Sequence, residues 1–218
     1  MKTTRPRLFA LPVPSVLLAI AIFAAAPNAH ALVVLSNLPG SGNYTGGSIT
    51  LGTTSWEAVG LKMGTTSADF TSFTGYFDSF QNHTLQGGIF SDNAGQPGSS
   101  LISFTPQSVN SVVSPTAYTL TTATAYTLQA NTSYWFVLWD PPSYLDWDRD
   151  TSNTAPSAAS GFTFNGYMRS VNSGSTWSAD TTGNWTVEVQ VVPEPSSAML
   201  LLAGVCGMTL RSRARRKS

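Results

Sequence analysis

Trp185-Thr186-Val187-Glu188-Val189-Gln190-Val191 decides the fold class of this chain. Apolar side chains alternate with polar ones, the period of a strand that turns one face to a core and the other to water. Tyr134-Trp135-Phe136-Val137-Leu138-Trp139 is instead apolar on both faces, as expected of a central strand or of one covered on its second side. In this reading Trp185, and whichever of Trp135 and Trp139 points inward, belong to the core. Further strands are expected over 59–63, 73–80, 85–90, 101–104, 118–120 and 162–168. No stretch of helical length combines a 3.6-residue apolar repeat with helix-forming residues, Gly, Ser, Thr and Asn are abundant, and only 10% of residues are charged. Eight or more short strands parted by Gly, Asn, Asp and Pro turns predict a single all-β domain, an antiparallel β-sandwich with the jelly roll as one form of it.

The turns place these strands. Asp92-Asn93-Ala94-Gly95-Gln96-Pro97-Gly98 suits a reversal between Ile89-Phe90 and Leu101-Ile102. Ala130-Asn131-Thr132-Ser133 makes a polar corner before the most apolar strand, and Asn82-His83-Thr84 reads as a polar turn before Leu85.

Charge separates the body from its ends. Of eleven Lys and Arg, eight lie at the termini: Lys2, Arg5 and Arg7 before one apolar run, and Arg211, Arg213, Arg215, Arg216 and Lys217 after another. Between Leu32 and Val192, Lys62, Arg149 and Arg169 face ten acids, so the body is acidic although the whole chain is neutral. Such a body is repelled by a phosphate backbone, which argues against nucleic acid as a partner.

At the start, the apolar stretch Val16 to Ala26 is shorter than a bilayer span and is followed by Ala29-His30-Ala31, small residues where a signal peptidase looks for them. Residues 1–31 are therefore expected to be a signal peptide cut after Ala31, and the protein to be exported. At the other end Pro193-Glu194-Pro195-Ser196 precedes the apolar run Ala198 to Leu210 and the basic tail. The prolines are expected to stop the preceding strand. With Arg211 snorkelling, the run could just cross a bilayer as a short transmembrane helix, the basic tail staying in the cytoplasm.

This order of motif, apolar run and Arg-rich tail over 193–218 resembles a PEP-CTERM sorting signal of Gram-negative bacteria that make extracellular polysaccharide. The resemblance implies Pro193, Glu194 and Pro195 as the sorting motif. It also implies transient anchoring in the inner membrane, then recognition by an exosortase that cuts near the motif and releases or transfers the protein. The body, 32–192, resembles the choice-of-anchor R domain on three pieces: Trp56 to Met63, the turn Ser91 to Gly98, and Leu128 to Trp135. That resemblance implies an exported, anchored surface domain and leaves its ligand open.

Little in the body suggests catalysis. Cys206, the single cysteine, lies in the C-terminal apolar run, so the body has neither a disulfide nor a thiol nucleophile. His83 is its only histidine, and no nucleophile-elbow signature accompanies it. Asp140, Asp146, Asp148, Asp150 and Asp180 could supply a carboxylate pair, but spacing alone raises no pKa. No cofactor is expected, with calcium as the exception to test: Asp146, Asp148 and Asp150 alternate around Trp147 and Arg149 and could converge oxygens on that ion, although the spacing is not that of an EF-hand. All six tryptophans, Trp56, Trp135, Trp139, Trp147, Trp177 and Trp185, fall in the body. Polar residues surround Trp147 and Trp177, which makes these two the expected exposed rings for stacking a sugar. The expectation is a non-enzymatic surface or matrix-associated protein, structural or adhesive, with other surface proteins as one class of partner. Its alternative is a carbohydrate-binding module for extracellular polysaccharide, calcium-dependent if the aspartates hold an ion.

Overall fold

The computed structural model describes residues 30–38, 42–141 and 144–194, and residues His30–Glu194 make one compact unit. The expected signal peptide, apart from His30 and Ala31, and the sorting segment beyond Glu194, including Pro195, lie outside the described residues. Among the described residues no helix is long and apolar enough to cross a membrane; the expected span, 198–210, falls outside them.

The described residues are all strand, turn and loop. In chain order the fifteen strands are β1 (Leu32–Ser36), β2 (Ser48–Leu51), β3 (Trp56–Lys62), β4 (Ala68–Ser79), β5 (His83–Asp92), β6 (Pro97–Ser103), β7 (Gln107–Val109), β8 (Val112–Leu120), β9 (Thr127–Leu128), β10 (Ser133–Trp139), β11 (Leu145–Asp148), β12 (Ser157–Ala158), β13 (Thr163–Ser170), β14 (Ser178–Asp180) and β15 (Glu188–Pro193). They form two antiparallel sheets packed face to face, a β-sandwich. The first, of eight strands, runs β12-β1-β15-β4-β11-β2 with β8 and β9 also on β4; the second, of seven, runs β14-β13-β3-β10-β5-β6 with β7 also on β5.

Alternation decides what lies between the sheets. Tyr134, Phe136 and Leu138 of β10, Val59 and Leu61 of β3, Leu85 and Ile89 of β5, and Phe73 and Phe77 of β4 point inward and share one core with Val189 and Val191 of β15. The residues of opposite parity on the second sheet form a separate apolar layer on its outer face. There Ala58, Phe90, Trp135 and Val137 are buried beneath half-buried Trp56, Trp139, Met168 and Trp177. The 134–139 segment is apolar on both faces because both expected reasons hold: it is central, paired to β3 and β5, and its second side is covered. Of Trp135 and Trp139, Trp135 is the buried core residue, but its cluster lies on the outer face, since both tryptophans share the outward parity and neither points between the sheets. Trp135 is nonetheless 1% exposed, its ring lying so close over Gly60 that a Cβ there would meet it at 2.9 Å.

The 185–191 repeat also holds, with a shortened ladder. Trp185, Val187, Val189 and Val191 all enter the core, but β15 begins at Glu188 because the preceding backbone bonds go elsewhere. Thr186 N–H donates to Asp148 O at 2.9 Å, and Val187 N–H to Asn37 Oδ1 at 2.8 Å. At its far end β15 stops at Pro193, opposite Ala68, and Glu194 N–H donates to Ser67 O at 3.3 Å. The 73–80 expectation is shifted: β4 starts at Ala68, ends at Ser79, and leaves Phe80 83% exposed.

Candidate functional site

The hairpin joining β5 to β6 and the loop joining β13 to β14 enclose a largely polar open cleft of about 560 Å³, lined among others by Asp92, Asn93, Gln96, Thr176 and Trp177. The hairpin wall is a tight two-residue turn. Ala94 and Gly95 take φ of 54° and 86°, and Asn93 and Gln96 exchange backbone hydrogen bonds of 2.8 and 3.3 Å, the pattern of a type I′ turn matched to strand twist. Asp92 braces it, accepting from Gly95 N–H at 3.2 Å and from Trp135 Nε1 at 2.8 Å. The outer aromatic layer thus fixes the one carboxylate that lines the cleft.

The opposite wall is held by its own side chains. Ser170 Oγ accepts from Gly174 N–H at 2.9 Å, and Asn172 bridges to Thr176 N–H at 2.9 Å and Thr176 Oγ1 at 2.8 Å. Gly174, at φ 77°, abuts Trp56 so closely that a Cβ would lie 2.8 Å from the ring; only glycine fits that backbone and that gap. Trp177 follows, half-buried on the aromatic layer and lining the cleft. The Asn93 and Gln96 amides, by contrast, make no side-chain hydrogen bond among the described residues and remain free donors and acceptors at the cleft.

Of the two tryptophans expected to meet a sugar, only Trp177 is placed to do so. Trp147 is corrected: it is fully buried, T-shaped to Phe73 and stacked on Phe77 at ring distances of 6.0 Å, with Nε1 donating to Thr186 O at 2.8 Å. Its acidic neighbours are the outward positions of β11, and Trp147 is the inward one.

The aspartates around it do not form one cradle. Asp146 and Asp148 share the outer face of the first sheet with Asp78, which pairs with Asp146 across the strands. Asp150 lies beyond the strand, buried, accepting from Ser152 Oγ at 2.7 Å. Among the described residues no group of three His, Cys, Asp or Glu side chains is arranged to hold a metal ion. Asp146 accepts from Thr50 Oγ1 at 2.6 Å, whereas Asp148 is 4% exposed and its Oδ2 has no partner among the described residues. Burial first, then the charges of Asp78 and Asp146, push Asp148 up to about 8, so a proton offsets the crowding at neutral pH.

Two further polar groups turn inward. Glu57 of β3 is fully buried, and among the described residues neither carboxyl oxygen has a hydrogen-bond partner. Arg169 Nε lies 3.2 Å away but outside hydrogen-bonding geometry. Burial, reinforced by Asp180, outweighs the arginine and raises Glu57 to about 9, so Glu57 is held as the neutral acid and the contact is not a full ion pair. His83, expected in a polar turn, instead opens β5 and shares the inward parity of Leu85. Its Nδ1 lies 2.7 Å from Asp140 Oδ2, and among the described residues its Nε2 has no partner. Comparison with family models, with curated proteins and with solved structures finds no match.

Proposed function

We propose that this chain is an exported surface or matrix-associated protein of a Gram-negative bacterium, sorted through its C-terminal signal, whose sandwich holds extracellular polysaccharide in the cleft beside Trp177. The observation that carries the reading is the pairing, at one braced cleft, of a half-buried indole with unengaged Asn93 and Gln96 amides. An apolar ring face and convergent amides are what a sugar, with its C–H face and hydroxyl rim, requires. The role is adhesive rather than catalytic: the cleft offers one carboxylate, already bound by Trp135 and Gly95, where glycoside hydrolysis needs two.

The export reading is supported by where the sandwich begins and ends. β1 starts at Leu32, the residue after the expected signal-peptidase cut, and β15 ends at Pro193, the first residue of the expected sorting motif. Inner membrane, signal peptidase and exosortase are then partners in transit, and polysaccharide is the partner at the destination.

The test is a glycan-array screen of the full chain in mild detergent, with and without calcium. Binding lost in Trp177→Ala but kept in the absence of calcium is the expected result. Binding that needs calcium and survives Trp177→Ala would move the site to the aspartates. No bound glycan in either condition would overturn the reading.

A further inference from the structure

One end of the sandwich is a second surface. The end of β4 and the starts of β5, β3 and β11 meet there with the ends of β10 and β13, since Asp78 is paired with Asp146, Gln86 with Trp139 and Trp56 with Ser170. Hydrogen bonds stitch the loops together. Ser79 Oγ donates to Tyr144 O at 3.4 Å and Ser111 Oγ to Phe80 O at 2.9 Å. Tyr144 N–H donates to Leu51 O at 3.1 Å and Ser173 N–H to Thr54 O at 3.0 Å, while Thr53 Oγ1 donates to Pro141 O. From three of these loops Phe80, Tyr144 and Val171 stand 83%, 75% and 68% exposed, the three most exposed large apolar side chains among the described residues. Tyr144 takes a φ of 85°, a region bulky residues seldom adopt, and the contacts with Leu51 and Ser79 hold it there. None of the three side chains lines the cleft.

We infer that this tip is an interface between copies of this chain, in which Phe80, Tyr144 and Val171 of one sandwich cover those of another. Charge selects the face. The body sets ten acids against Lys62, Arg149 and Arg169, so side-by-side approach of two copies sets acid against acid. Among the described residues 51–55, 79–82, 110–111, 140–141, 144 and 171–174, only Asp140 is charged, and it is fully buried beside His83. Asp78 and Asp146, two residues back along β4 and β11, face sideways from the first sheet. Tip to tip, two uncharged patches meet and most of the acids stay apart. An uncharged apolar patch is also complementary to itself, as a two-fold pair requires. The sandwich begins and ends at the other end, where Leu32 pairs with Val191 and Pro193 with Ala68, about 40 Å away along the twelve residues of β4. A tip-to-tip pair therefore points its chain ends in opposite directions and links two facing surfaces. The patch is small, so one pair is weak and many facing pairs are strong. This pairing does not depend on the reading of the cleft.

The experiment uses the full chain in mild detergent with Cys206→Ser, which leaves one engineered cysteine to carry a donor or acceptor dye. The dye is placed at the tip in Gln81→Cys or at the opposite end in Thr65→Cys, both exposed positions. Energy transfer between tip labels should rise with protein concentration, and transfer between Thr65 labels should stay near zero. Phe80→Asp should weaken the association at least about ten-fold, the scale for losing a central aromatic at an interface, with Tm and binding through Trp177 unchanged. Tyr144→Asp should do the same and guards against misfolding of the first variant. Monomers at every concentration would overturn the pairing, as would equal transfer at both labels or association indifferent to both aspartates. Transfer from the Gln81 label to dye-labelled phosphatidylcholine, in place of transfer between tips, would overturn it in favour of a lipid-facing tip.

Discussion

Replacing Glu57 by glutamine should flatten the loss of stability that this sandwich suffers as pH rises. Glu57 is fully buried, among the described residues neither of its oxygens has a hydrogen-bond partner, and its pKa is raised from 4.5 to about 9, first by burial and then by Asp180. The folded state therefore holds a proton that the unfolded chain releases. Its stability contribution is complete below about pH 4.5, declines as pH rises, and is lost above about 9. One retained proton corresponds to about 1.4 kcal/mol per pH unit. Asp148, raised from 3.8 to about 8, adds a second slope of the same sign. Between pH 5 and pH 7 the two groups together should remove on the order of 5 kcal/mol from the native chain, and about half of that in Glu57→Gln. Glutamine keeps the shape and is already neutral, so the two proteins should agree near pH 4.5 and diverge above it. Urea unfolding followed by fluorescence of the buried tryptophans, at pH 5, 6 and 7, reads the divergence directly, because carboxylates common to both proteins cancel. Parallel curves would refute the reasoning and mean that Arg169 holds Glu57 ionised.

Trp147→Ala should cost about 3–5 kcal/mol, the range for emptying a core tryptophan site, measurable as a lowered urea midpoint; a loss below 1 kcal/mol would return Trp147 to the surface. Ala94→Gly relieves a φ of 54° that costs an L-residue about 1–2 kcal/mol, less the added freedom of glycine when unfolded, so a small gain in Tm is expected; a fall in Tm would mean the turn is not type I′. Mass spectrometry of the protein from the cell surface of a host carrying an exosortase should find Leu32 at the N-terminus and no residues of the 198–210 run; an intact basic tail would favour a permanent anchor.

The sequence carried more of this fold than a reading of composition extracts from it. The apolar half of the alternation over 185–191 is realised, while Thr186 of the polar half is buried, and the hydrogen bonds drawn off by Asp148 and Asn37 shorten the strand. Leu145-Asp146-Trp147-Asp148 carries the same period, with Leu145 and Trp147 inward, so the acids that suggested a calcium loop are the outward half of a strand. His83 likewise has the parity of Leu85, a signal masked by the polar Asn82 before it. The outward parity of Trp135 and Trp139 was not legible: a strand apolar on both faces gives no phase, and the phase here is set by which side Phe136 and Leu138 take. Neither was the cleft, since it joins two turns remote in sequence that meet only through the order β14-β13-β3-β10-β5-β6. Trp177 could be named from its polar neighbours; Asn93 and Gln96 could not.

The central claim, that a polysaccharide occupies the cleft beside Trp177, is tested most directly by isothermal titration of an oligosaccharide of the glycan that the array screen retains into the full chain and its Trp177→Ala variant, both checked for equal Tm. The account predicts several-fold weaker binding in the variant at unchanged stability. Equal affinity in the two proteins would contradict it.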